Sequence, residues 1–120
     1  MGHRVGFGFA INGIRYAFSS QPNFIIHLAV VFLVVILGWF LKVSATDWVV
    51  LTLTMVIVLV AEMINTALEA MTDLISKEYR QEAKIAKDVA AGMVLTASLG
   101  AVVVGIVIFV PYIFEFLTGN

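Results

Sequence analysis

The chain has 120 residues, of which 62% are hydrophobic and 12% charged, with a net charge of −1 and no cysteine. Soluble domains average roughly half apolar and about a quarter charged residues, so the charges here are too few to cover the apolar surface and the bilayer is the solvent implied. The length leaves room for one domain, the charge excludes the concentrated basic footprint of a nucleic-acid binder, and the missing thiols exclude disulfides, thiolate zinc sites and cysteine nucleophiles.

Residues 1–20 interleave Phe7, Phe9, Ile11, Ile14, Tyr16 and Phe18 with glycine, Arg4, Asn12 and Arg15. That mixture is too polar to span a membrane and too apolar to leave it, which predicts an amphipathic helix lying in the headgroup region. Gln21-Pro22-Asn23-Phe24 then reads as a turn, with Pro22 suited to a helix start. A membrane-spanning helix needs about 20 mostly apolar residues. Residues 24–41, 48–75 and 89–116 predict three of them, joined by a short connection around Lys42–Asp47 and a polar loop over 76–88. His27 in the first span reads as a hydrogen-bonded contact between helices. Asp47 reads as a helix N-cap, and Trp39, Trp48 and Tyr112 fall at the expected level of the outer interface. Gly92, Gly100 and Gly105 in the third span predict close helix–helix approach.

Arg4, Arg15, Lys77, Arg80, Lys84 and Lys87 fall on one side of this topology and only Lys42 on the other. The positive-inside rule therefore places the N-terminus and the 76–88 loop in the cytoplasm and the C-terminus outside.

The second span carries the chemistry. At 3.6 residues per turn, Glu62, Glu69 and Asp73 share one stripe with Asn65 beside it. Carboxylates at membrane depth are costly unless partnered, so this face must look into a protein interior or a watery cleft. Grouped carboxylates suit a hard cation such as Mg²⁺, and a carboxylate near apolar surroundings suits a general base. Both together describe phosphoryl transfer. The plain alternative is that these groups pair with one another, or with Lys and Arg, and only hold helices together. Lys77 and Lys84 read best as a solvated loop, whereas Lys87, where the third span begins, can reach the cleft as a phosphate clamp, with Asp88 fixing it or capping the helix. Neither a Walker-type glycine-rich loop nor a kinase catalytic-loop motif is present.

Glu62, Asn65-Thr66-Ala67-Leu68-Glu69 and Asp73, then Glu78-Tyr79 and Ala86-Lys87-Asp88-Val89-Ala90-Ala91-Gly92, together with Gly13-Ile14-Arg15-Tyr16-Ala17-Phe18 and Asn23-Phe24-x-x-His27, resemble the small integral-membrane prokaryotic diacylglycerol kinases over nearly the whole chain. The Asp-Val-Ala-Ala-Gly and Asn-Phe-x-x-His segments are more similar to the Gram-positive branch, whose usual lipid is undecaprenol. The resemblance implies an all-α homotrimeric bundle in the bacterial cell membrane, using ATP and Mg²⁺, with each site shared between neighbouring subunits at the cytoplasmic surface. By position it makes Glu62 the general base on the lipid hydroxyl and Glu69 the ligand of Mg²⁺ and phosphates. Asn65 supports the site, Lys87 and Asp88 contact ATP, Glu78, Tyr79 and Arg80 lie along the nucleotide, and Asp73 organises the helix end. The family's second metal-binding glutamate corresponds to Gln21, a neutral and poor Mg²⁺ ligand, and its N-terminal basic residue has only the approximate counterparts His3 and Arg4.

The leading expectation is a kinase for a membrane lipid alcohol, undecaprenol first and diacylglycerol second. The rival classes are a small proton-coupled transporter, with Glu62 as the coupling acid, and a purely structural membrane subunit.

Overall fold

The computed structural model describes residues 6–75 and 80–119. All regular structure among them is helical: α1 (Phe7–Ser20), α2 (Pro22–Leu41), α3 (Ala45–Ile75) and α4 (Gln81–Thr118). The last three are long and apolar enough to cross a membrane. Pro22 opens α2 at its first turn, where its fixed φ fits and its missing N–H costs nothing. Lys42 closes the same helix in the left-handed region at φ 56°, its N–H donating back to Gly38 and Trp39.

Two boundaries differ from the sequence expectation. The capping role given to Asp47 belongs to Ser44, whose Oγ accepts from the Asp47 N–H at 3.1 Å, and α3 already begins at Ala45. The loop expected over 76–88 is shorter, because α4 starts at Gln81. Gln81 to Asp88 contains no glycine or proline, and Lys84 pairs with Asp88 one turn on, so nothing local stops the helix. Asp88 consequently lies inside α4 and caps nothing.

At 1.5 Å per residue α2 is about 30 Å long, α3 about 46 Å and α4 about 57 Å. A hydrocarbon core is only about 30 Å thick. Since α2 and α3 are joined tightly at one end, the surplus length of α3 projects at the other, where the acidic stripe lies.

The buried core sits near the joined end. Val43, Leu51, Ile108 and Phe109 cluster there, with Leu37, Trp48 and Val104 packed around them. Gly38 lets α3 approach closely: a Cβ at that position would stand 2.7 Å from the Trp48 indole. The glycines expected to do this, Gly92, Gly100 and Gly105, face open space within the chain. Tyr112, expected as an interfacial anchor, is also tied within the chain. Its hydroxyl donates to Asp47 Oδ2 at 2.6 Å and accepts the Ser44 N–H at 3.0 Å. Elsewhere the spans present large apolar side chains outward, Phe32, Leu53 and Val107 among them, as helices do when hydrocarbon is the solvent. On α1, Phe7, Phe9, Ile11, Ile14, Tyr16 and Phe18 are all exposed and Ala17 alone is buried.

Candidate functional site

The stripe on α3 runs from the protein interior to its surface. Glu62 is 1% exposed and Asn65 is buried, Glu69 is half-buried, and Asp73 is exposed. One helical face thus carries acid groups through a steep change in solvent access, which follows from the spacing of seven and four residues and from the projection of α3 beyond the core. Ala61, Thr66 and Val58 are buried around Glu62. The Thr66 hydroxyl donates to the Glu62 carbonyl at 2.9 Å and so is satisfied locally.

Glu62 itself is not satisfied. Neither carboxylate oxygen has a partner in hydrogen-bonding geometry among the described residues. His27 of α2 approaches it, with Nε2 3.4 Å from Oε2, which is ion-pair range with poor hydrogen-bond alignment. Asn65 donates through Nδ2 to Glu69 Oε1 at 3.4 Å, while its own buried Oδ1 has no partner among the described residues. Leaving charged or polar atoms in this condition costs several kcal/mol in an apolar setting. A site that only glued helices together would be expected to satisfy them.

At the open end Lys87 Nζ donates to Asp73 Oδ1 at 2.6 Å. Asp73, not Asp88, therefore fixes Lys87, since Asp88 is engaged by Lys84 on the preceding turn. The hydrogen bond to Asp73 holds the Lys87 ammonium above the usual lysine range; partial burial opposes this, and the charges of Asp73 and Glu69 reinforce it. Asp73 and Lys87 were both legible as candidates, but their pairing was not. It requires knowing the register of α3 against α4.

Arg80 enters α4 in an extended conformation and, with Thr72, Ile75, Glu82 and Ala86, lines a cleft of about 300 Å³. Thr72 and Ala86 are the chain neighbours of Asp73 and Lys87, so this cleft adjoins the ion pair. Gln21 lies at the α1–α2 junction, where its N–H donates to the Ala17 carbonyl at 3.2 Å. Its side chain makes no hydrogen bond to Glu69 among the described residues. Glu78 and Tyr79, with Lys77, His3 and Arg4, lie outside the described residues.

No three His, Asp or Glu side chains converge on one point among the described residues. Mg²⁺ does not require them to, because it takes oxygen ligands and keeps waters and substrate phosphates in its shell. Glu69 fits that role: it is half-buried, and among the described residues only one of its oxygens is engaged, by Asn65. Glu62 is too enclosed, and Gln21 offers only a neutral oxygen. The donor set suits a hard cation that leans on a triphosphate.

A second feature lies deeper. An apolar groove of about 260 Å³ runs between α2, α3 and α4, lined by His27, Val31, Thr54, Met55, Val58 and Val102 among others. Met55 and Val58 sit seven and four residues before Glu62 on its own face of α3. The groove therefore leads toward the buried carboxylate from within the membrane-spanning region.

Residues 8–109 match the sequence profile of the family described as prokaryotic diacylglycerol kinase. The chain is 43% identical over 108 residues to a diacylglycerol kinase of Synechocystis sp., a match covering 89% of this chain and 62% of that protein. It is 33% identical over 99 residues to an undecaprenol kinase of Bacillus subtilis, covering 82% of this chain and 80% of the relative. It is 32% identical over 96 residues to a diacylglycerol kinase of Escherichia coli, with 80% and 79% covered.

Proposed function

The chain belongs to the prokaryotic diacylglycerol kinase family, and from that premise we propose that it transfers the γ-phosphate of ATP to the hydroxyl of a membrane lipid alcohol. The observation that carries this reading is the face of α3 on which a buried carboxylate, a half-buried carboxylate and an ion-paired lysine follow one another from membrane depth to the open end. The groove ending near Glu62 supports a hydrophobic acceptor delivered from the bilayer. A proton-coupled carrier would need the buried acid, but not Glu69, Asp73 and Lys87 gathered at one surface.

In the proposed reaction Glu62 takes the proton of the acceptor hydroxyl. The acceptor oxygen then bonds to the γ-phosphorus as its bond to the β–γ bridging oxygen breaks and ADP leaves. Lys87 engages the phosphates, held in place by Asp73. Arg80, Asp88, Glu78 and Tyr79 lie along the nucleotide, and Asn65 orients Glu69. Glu69 would hold Mg²⁺, which when bound screens the phosphate charge.

Two acceptors have specific support. Asn23-Phe24-x-x-His27 and Asp88-Val89-Ala90-Ala91-Gly92, together with the Bacillus relative, favour undecaprenol. The higher identity to the Synechocystis protein favours diacylglycerol. We further propose a homotrimer with sites shared between subunits. The open glycines of α4, and the lack among the described residues of three His, Asp or Glu side chains at one point, support a site completed by a neighbouring copy. With the basic residues inside, the N-terminus is cytoplasmic, the C-terminus lies outside the cell membrane and α1 rests in the headgroup layer.

The test uses purified protein in lipid with γ-labelled ATP and Mg²⁺, offered undecaprenol and diacylglycerol in separate reactions. Label passing to one of them supports the kinase and identifies its acceptor. Transfer to neither contradicts it.

A further inference from the structure

Glu62 combines near-complete burial with two oxygens that lack well-aligned donors among the described residues. An anion so placed would rotate away or take up a proton unless something nearby favours one orientation. His27 is the group that faces it. The imidazole projects from α2, its side chain is 18% exposed, and Nε2 lies 3.4 Å from Oε2. Oε1 has no hydrogen-bond partner among the described residues. His27 also lines the apolar groove, one helix away from Val58 on the approach to Glu62. The histidine therefore stands between the groove and the carboxylate, touching both.

We propose that His27 is the positioning residue of Glu62. An N–H at Nε2 holds Oε2, fixes the carboxylate rotamer and turns Oε1 toward a hydroxyl arriving from the groove. This rests on the reading of Glu62 as general base. A histidine that merely tied α2 to α3 could be replaced by any side chain of similar volume. A positioning histidine can be replaced only by one that keeps an N–H donor at the same reach.

Three variants in lipid bilayers separate these outcomes when γ-phosphate transfer is measured with saturating acceptor. Glu62→Gln is expected to abolish transfer. His27→Leu keeps the volume and loses the donor, and is expected to lower kcat on the order of tenfold to a hundredfold, the scale of losing a group that orients an active side chain, with KM for ATP unchanged. His27→Gln restores a donor and is expected to recover most of the lost kcat. If Glu62→Gln is inactive but His27→Leu turns over normally, or if the leucine and glutamine variants lose kcat equally, the assignment of His27 is overturned while Glu62 stands. Transfer by Glu62→Gln overturns both. Should His27→Leu fail to assemble, ¹⁵N spectra of the wild-type imidazole decide. Protonated Nε2 with a resonance that moves in Glu62→Gln supports the proposal, and a resonance indifferent to that change overturns it.

Discussion

Lys87 on α4 donates to Asp73 on α3 at 2.6 Å, and this contact lies at the opposite end of the helix pair from the Tyr112–Asp47 bond. Between the two ties run about 39 Å of α3 and about 38 Å of α4 at 1.5 Å per residue, so the two bonds agree on one antiparallel register. That register brings a lysine with no acidic partner on its own helix to the end of the acidic stripe.

Both members of the Asp73–Lys87 pair are solvent-exposed, so it adds little to stability and its consequence is the placement of a cation. Lys87→Ala should raise KM for ATP about tenfold, the loss of one charge-assisted contact to phosphate, with little change in melting temperature. Asp73→Asn should give a smaller rise. Because the Lys87 value lies above the usual lysine range, the ammonium is present at neutral pH and is lost only as pH rises through that elevated value. Between about pH 7 and 9 deprotonation of Lys87 should therefore contribute nothing to KM for ATP, as nucleotide titrations across that range would read.

Gln21 sits at the α1–α2 junction with a neutral side chain, where the resemblance implies a metal-binding glutamate. Adding a carboxylate should favour a hard cation beside the triphosphate. Gln21→Glu is expected to lower the Mg²⁺ concentration giving half-maximal transfer and to tighten Mg-ATP binding. An unchanged metal dependence would remove Gln21 from the site.

At the end joined by the α2–α3 connection the Tyr112 hydroxyl serves both Asp47 and the Ser44 N–H. Tyr112→Phe leaves both unpaired and should cost about 1–3 kcal/mol of stability. KM for ATP should not change, because the proposed site is nearly the length of the bilayer away. Thermal unfolding and nucleotide titration on the same preparation check both halves.

Gly38 is needed for the approach of Trp48, not for its backbone freedom, since it lies within α2 and a Cβ there would meet the indole at 2.7 Å. Gly38→Ala should destabilise by about 1–3 kcal/mol, the range for overpacking a closed contact. Adding Trp48→Leu should recover part of that loss, and a double-mutant cycle would measure the coupling.

Composition and hydropathy sufficed to read the three long apolar helices, because a span is a local property of about 20 residues. The arithmetic of helical turns likewise brought Glu62, Asn65, Glu69 and Asp73 onto one face. Facts about pairs of helices stayed hidden. Nothing in the sequence said that Lys87 would meet Asp73 while Lys84 takes Asp88, or that Tyr112 would find Asp47. Glycine patterning names no partner for the same reason: Gly38 makes a close approach within the chain, while a Cβ at Gly92, Gly100 or Gly105 would meet nothing of the chain within 4 Å. Gln81 to Asp88 is charged enough to suggest a loop, yet it holds no glycine or proline and its residues favour helix.

The proposed chemistry stands on Glu62 as the group that receives the acceptor's proton. The most direct measurement compares wild type with Glu62→Gln in lipid, recording nucleotide binding and γ-phosphate transfer on the same samples. The expected result is ATP binding like that of wild type with transfer reduced by at least about a hundredfold, the lower end of what general-base loss costs. Transfer within a few-fold of wild type would contradict the role assigned to the buried carboxylate.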